Sequence, residues 1–161
     1  MDENQFWKMI EDAWQVVGGK SKSRQKLTSG KISENLAATL VDALDEVIPA
    51  LGALLAKLNQ HDLQAFDQIL ERKLYEIDRA DIHEYTDGSD DGFLYARGFI
   101  VACGADYFRA VAANPALATD NECEEICYLS WHLYSDLFGE IPKSTISRES
   151  NSNKLGWPNL T

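Results

Sequence analysis

The residues best placed for chemistry lie between Asp87 and Ala118, in the run DGSDDGFLYARGFIVACGADYFRAVAANPALA. An acidic turn, Ser89-Asp90-Asp91-Gly92, stands directly before a long apolar segment that carries Arg97. Two roles fit these residue types. Ser89 or Asp90 can cap the following helix, with the acids placed where its dipole favours negative charge. The same groups can instead line a cleft that binds a ligand or an anion. Arg97 shares a helical face with Phe93, Ile100 and Gly104, so it points into the core or along its edge. A buried guanidinium is costly without a partner. Asp90 and Asp91 are the first candidates, followed by an acid from a packed helix. Asp90 and Arg97 are separated by about 10 Å of helical rise, so Arg97 must stretch back toward the N-terminus to reach it. A structural brace is the favoured reading of Arg97, and ligand binding is the alternative.

Other candidate chemistries fail on spacing. The acids of the turn lack the alternate positions, central glycine and closing glutamate of a calcium loop. Gly19-Lys20-Ser21 lacks the earlier glycine of a phosphate loop, because Trp14 occupies that position inside a helical pattern. Cys123 and Cys127 share a helical face, but His61, His83 and His132 supply no ligand-spaced pair beside them. Cys103, Cys123 and Cys127 are therefore read as small core residues, and no metal or cofactor is expected. There is no Gly-x-Ser-x-Gly elbow. His132 reads as a packing residue, and Trp7 and Trp131 as core anchors.

The elements that must position these groups all read as helices. Asp2 with Gln5 forms a capping box, followed by Phe6, Met9, Ile10, Ala13, Trp14 and Val17 on one face. Gly18-Gly19 ends that helix, and residues 18–31 carry five Lys or Arg and no acid, which reads as a solvated basic loop. From Ser33 to Leu58 runs a leucine stripe interrupted by Pro49, so a break into two helices is expected near Ile48. Asn59 or Asp62 caps the next helix, which buries Leu63, Phe66, Leu70, Leu74 and Ile77. Its other face, with Asp67, Glu71, Arg72, Lys73 and Glu76, reads as solvated. Residues 81–88 are turn-like, with room for a short extra turn. The segment after Asp91 is apolar nearly all round, the mark of a central buried helix, and runs to Asn114-Pro115. Gly98, Ala102 and Ala105 leave a low patch for a neighbouring helix. A Thr119-x-x-Glu122 box opens the last helix, with Ile126, Leu129, Leu133 and Leu137 on one side and Gly139 at its end. This gives a single all-α domain of about five to seven helices over residues 1–142, with a polar, loose tail at 143–161 whose Trp157-Pro158 can dock on the body.

Composition narrows the partners. The chain has 161 residues, enough for one core, and 26 acids against 15 Lys and Arg give a net charge of −11. That balance disfavours nucleic acid and suits a basic protein. No apolar run reaches membrane-spanning length, and Met1-Asp2-Glu3 is the reverse of a basic signal start, so a cytoplasmic protein is expected. Oligomeric state is not readable from these features.

The signature Ser89-Asp90-Asp91-x-Phe93, Arg97-Gly98-Phe99 and Gly104, continuing to Asn114-Pro115 and Leu117-Ala118, resembles the bacterial family designated domain of unknown function 4240 (DUF4240). The opening Asp2-Glu3, Phe6-Trp7, Ile10 and the block from Leu54 to Asp78 are similar to its other segments. Ile82-His83 stands where the family usually carries Leu-Trp, and residues 32–52 look like an extended connection. The resemblance implies a small bacterial protein without an assigned reaction, with a possible place in toxin and immunity systems. The expected function is a non-enzymatic module that binds a basic partner. The alternative is a small-molecule binder or enzyme with a cleft beside Ser89, Asp90, Asp91 and Arg97.

Overall fold

The computed structural model describes residues 1–86 and 88–158. Asp87, the first residue of the acidic run, lies outside the described residues. Eight α-helices are present among them, and no strand: α1 (Glu3–Trp14), α2 (Ser21–Thr28), α3 (Glu34–Leu55), α4 (Gln60–Glu76), α5 (Ala80–His83), α6 (Asp90–Ala102), α7 (Ala105–Ala113) and α8 (Glu124–Phe138). Single 3-10 turns follow α1 and α7.

Helix α6 is the centre. From Gly92 to Ala102 every residue except Tyr95 is buried, and α6 packs on α4, α7 and α8. The expected low patch works at Gly98. A Cβ there would collide with the Cys123 carbonyl oxygen and lie 2.7 Å from Cys127 Sγ, so α8 crosses at a distance that only glycine permits. The remaining helices wrap this pair, with α1 on α3, α3 and α4 on α8, and α2 on α7. The Asp2–Gln5 capping box forms in both directions, at 2.8 and 2.7 Å. Asn59, not Asp62, is the cap of α4.

Several expectations are corrected. The central segment is two helices, because Gly104 takes φ 102°, a value side chains resist, and turns the chain between α6 and α7. The basic stretch 18–31 is not a solvated loop. It folds as α2, with Leu27 buried and Arg24 bonded to the Glu11 carboxylate at 2.6 and 2.7 Å, over the Trp14 ring. Pro49 does not break α3. It sits on the exposed face, where the Asp45 carbonyl left without a donor faces water, while Val47, Ile48 and Leu51 bury both flanking turns. Helix α8 starts at Glu124 after Cys123, with no side-chain cap. The Thr119 hydroxyl accepts from Asn121 instead. Leu137, placed on the inner stripe, is half exposed.

The loose tail is the largest correction. Residues 146–157 fold back over α4, α6 and α8, burying Arg148 and Asn153, while the Trp157 ring docks as expected, beside His83 and Phe93. No helix among the described residues is long and apolar enough to cross a membrane.

Candidate functional site

The acidic turn performs its local task. Ser89, with extended backbone, is the N-cap of α6 and its hydroxyl accepts from Gly92 N–H at 3.0 Å. Asp90 and Asp91 follow in the first turn, exposed to solvent. Arg97 is not joined to either carboxylate. Its Nη1 donates to the Leu74 carbonyl at the end of α4 (2.7 Å) and its Nη2 to Ser150 Oγ (3.0 Å). The guanidinium lies 4.7 Å from the Phe93 ring centre, and its Nε has no hydrogen-bond acceptor. Ser150 then donates to the Asp90 carbonyl at 2.6 Å, so turn and arginine are linked through the tail. Burial pushes the Arg97 pKa down, with the negative charge of Asp78 the first counterweight.

Asp78 is the acid at the centre of this region. It is fully buried, and its carboxylate accepts from the backbone N–H groups of Asn151, Ser152 and Asn153, from Ser152 Oγ and from Trp157 Nε1. Three successive amides converge because Asn151 takes φ 64°, which bends the chain into an anion-holding nest. Asp78 thus ties the tail to the body, and Ser89, Asp90, Asp91 and Arg97 line none of the clefts described below.

The cleft with the strongest chemistry lies on the other side of that tail, between α8 and residues 140–149. It encloses about 490 Å³. Its floor is a buried ionic cluster. Asp67, on α4, accepts from Ser130 Oγ (2.7 Å) and from Arg148 Nη2 (2.9 Å). Arg148 Nη1 donates to the Cys127 carbonyl, and its Nε stands 3.7 Å from Glu71. Asp67 and Glu71 face the same way because they are four residues apart on α4. Tyr128 and Trp131 form the α8 wall, and Ile141 and Pro142 line the opposite side. Glu140 and Glu149 stand at the exposed rim with Lys143. The Tyr128 hydroxyl donates to Glu149 at 3.1 Å. Desolvation first, and the Glu149 charge second, push that phenol up to about 12, so it stays a donor.

A second cleft, about 520 Å³, is bounded by Arg24, Tyr107 and Arg109. Its chief cation, Arg24, is already neutralised by Glu11, and Arg109 faces Asp106. The thiols are poorly suited to nucleophilic work. Cys103, Cys123 and Cys127 are all buried, and desolvation raises each pKa, that of Cys123 to about 12. No group of three His, Cys, Asp or Glu among the described residues converges to hold a metal ion. His132 and Trp131, read as packing residues, are exposed, Trp131 at 42%.

Sequence reasoning missed Asp67, Glu71, Asp78 and Arg148. The pattern of α4 puts the first two on a solvated face, because basic residues alternate with them. Their i, i+4 spacing was the available signal, but nothing in the chain announces an arginine arriving from the tail, 81 residues beyond Asp67.

Helix α6 with its capped acidic turn, packed on α8 in an all-α body, defines the class of protein. The chain belongs to the family of proteins of unknown function designated DUF4240, whose model matches residues 1–136. The match ends within α8, so the segment that closes the cleft and surrounds Asp78 lies outside it. Comparison with curated proteins and with solved structures finds no match.

Proposed function

We propose that this chain is a non-enzymatic protein-binding module, such as an immunity or inhibitor protein, whose partner is a basic protein docking at the α8 cleft. The observation that carries this reading is the composition of the cleft. Four carboxylates (Asp67, Glu71, Glu140 and Glu149) face two cations, and one of these, Arg148, is already committed to Asp67. Beside the carboxylates stand apolar groups exposed to solvent: Trp131 in the wall, and Leu137 and Phe138 further along α8. An aromatic anchor flanked by like charges is the arrangement by which a surface selects an oppositely charged partner. The net charge of −11 adds long-range attraction for such a partner. The alternative site beside Ser89, Asp90, Asp91 and Arg97 is less well supported, since Arg97 has no exposed surface.

The test is capture at low salt from a lysate of the source organism, with wild type and Trp131→Ala run in parallel. The expected result is a basic protein held by wild type, lost from the variant, and released at about 1 M salt, where the screening length falls to roughly 3 Å. Capture of nothing by wild type, or equal capture by both, would contradict the reading.

A further inference from the structure

The floor of the α8 cleft holds a carboxylate whose oxygens are left to the solvent of the cleft. Glu71 is 8% exposed, yet among the described residues no N–H or O–H donates a hydrogen bond to it. Its ionic neighbour is Arg148 Nε at 3.7 Å, too far for a hydrogen bond. Arg148 gives its two terminal nitrogens to Asp67 and to the Cys127 carbonyl. The contrast inside the same molecule is sharp. Asp67, 4% exposed, accepts from a hydroxyl and a guanidinium, and the sealed Asp78 holds five donors. Buried carboxylates are normally satisfied in this way. Glu71 and Asp67 both line the cleft, but only Asp67 is bonded to protein donors, and the Glu71 oxygens, which are not sealed from solvent, are open to a donor that enters it.

We propose that the cleft is a receptor for a single arginine side chain of the basic partner, its guanidinium bonded to Glu71 and stacked on Trp131. The natural occupant rests on the basic-partner reading, but the chemistry of the receptor stands on the cleft alone. A planar guanidinium can stack on a ring while donating from its edge, which a compact, strongly hydrated ammonium does poorly. The cleft already handles one guanidinium in this manner. Arg148 lies 5.9 Å from the Tyr128 ring centre while its edge is bonded to Asp67. Glu140 and Glu149 at the rim attract the incoming cation, and a cleft of about 490 Å³ is large enough for an arginine side chain.

The experiment is calorimetric titration of the whole chain with a capped peptide carrying two arginines spaced by glycine. Counterparts with lysine, and with the neutral isostere citrulline, are titrated alongside. The arginine peptide should bind saturably, the lysine peptide at least about tenfold more weakly, and the citrulline peptide not at all. Glu71→Gln, which keeps the shape of the side chain, should weaken arginine binding about tenfold or more. Trp131→Ala, at an exposed position where folding is not at risk, should do the same. Asp45→Asn, an equal charge change on the exposed face of α3, should leave affinity unchanged. Absence of saturable binding, equal binding of lysine, or an unaltered affinity in Glu71→Gln overturns the proposal. A chain that captures a basic protein but ignores these peptides would remove the arginine receptor and leave the basic-partner reading standing. Peptide binding without any captured protein would do the reverse.

Discussion

Arg97 is among the largest side chains that the fold seals from water, and its bonding is frugal for a cation. Two of its nitrogens have acceptors, Nε has none, and the leading compensating charge is the caged Asp78. Its removal opens a large void and leaves the Leu74 carbonyl without its arginine donor. Arg97→Ala should therefore cost about 3 kcal/mol or more in urea unfolding. Arg97→Lys should recover only part of this, because an ammonium cannot reach both acceptors at once. A loss below about 0.5 kcal/mol for the alanine variant would rule out a bracing role. The helical face of Phe93, Arg97 and Ile100 made the burial of Arg97 legible in the sequence. Its partners were not legible, because they are a carbonyl, which every residue carries, and a serine 53 positions away. The same limit hid the cleft floor, where Asp67 and Glu71 look like ordinary surface acids until the tail delivers Arg148.

At the scale of elements, capping boxes and apolar stripes were readable because they are local. The Asp2 and Ser89 caps and the buried faces of α1, α4 and α6 follow from spacing alone. Breaks and kinks were harder, since tertiary burial decides them. Pro49 is accommodated because its face of α3 meets water, so Pro49→Ala should restore a backbone bond there. A gain of roughly 1 kcal/mol or more is expected in urea unfolding, and a loss would contradict the account of α3. Gly98→Ala should have the opposite sign. Its methyl meets a backbone carbonyl and the Cys127 sulfur, forcing α6 and α8 apart at a cost of about 1–3 kcal/mol. Unchanged stability would mean that the helices are not in the close register described. The tail depends on Asp78. An asparagine there presents an amide N–H₂ toward backbone donors, so Asp78→Asn should lose roughly 2 kcal/mol or more and loosen residues 146–157. Limited proteolysis reads this directly. Cleavage within 146–157 should accelerate in the variant, and an unaltered pattern would show that the tail is held by other contacts.

For the whole molecule, the charge of −11 and the open aromatic cleft bear on the same question, what the chain binds. Net charge was legible from composition, and it governs attraction over a distance of about one Debye length. The location of the binding surface was not legible, because it is assembled from α4, α8 and a tail that reads as loose polar sequence. Charge and cleft make separable contributions to binding. Adding salt should slow association with a basic partner, whereas altering the cleft should speed dissociation. The most direct measurement is therefore the affinity of the captured partner for wild type and for Trp131→Ala, with thermal melts of both. Docking through the α8 cleft predicts at least about a tenfold loss of affinity, near 1.4 kcal/mol, at an unchanged melting temperature. Equal affinity for the two proteins would place the partner elsewhere on the surface and contradict the assignment of this cleft.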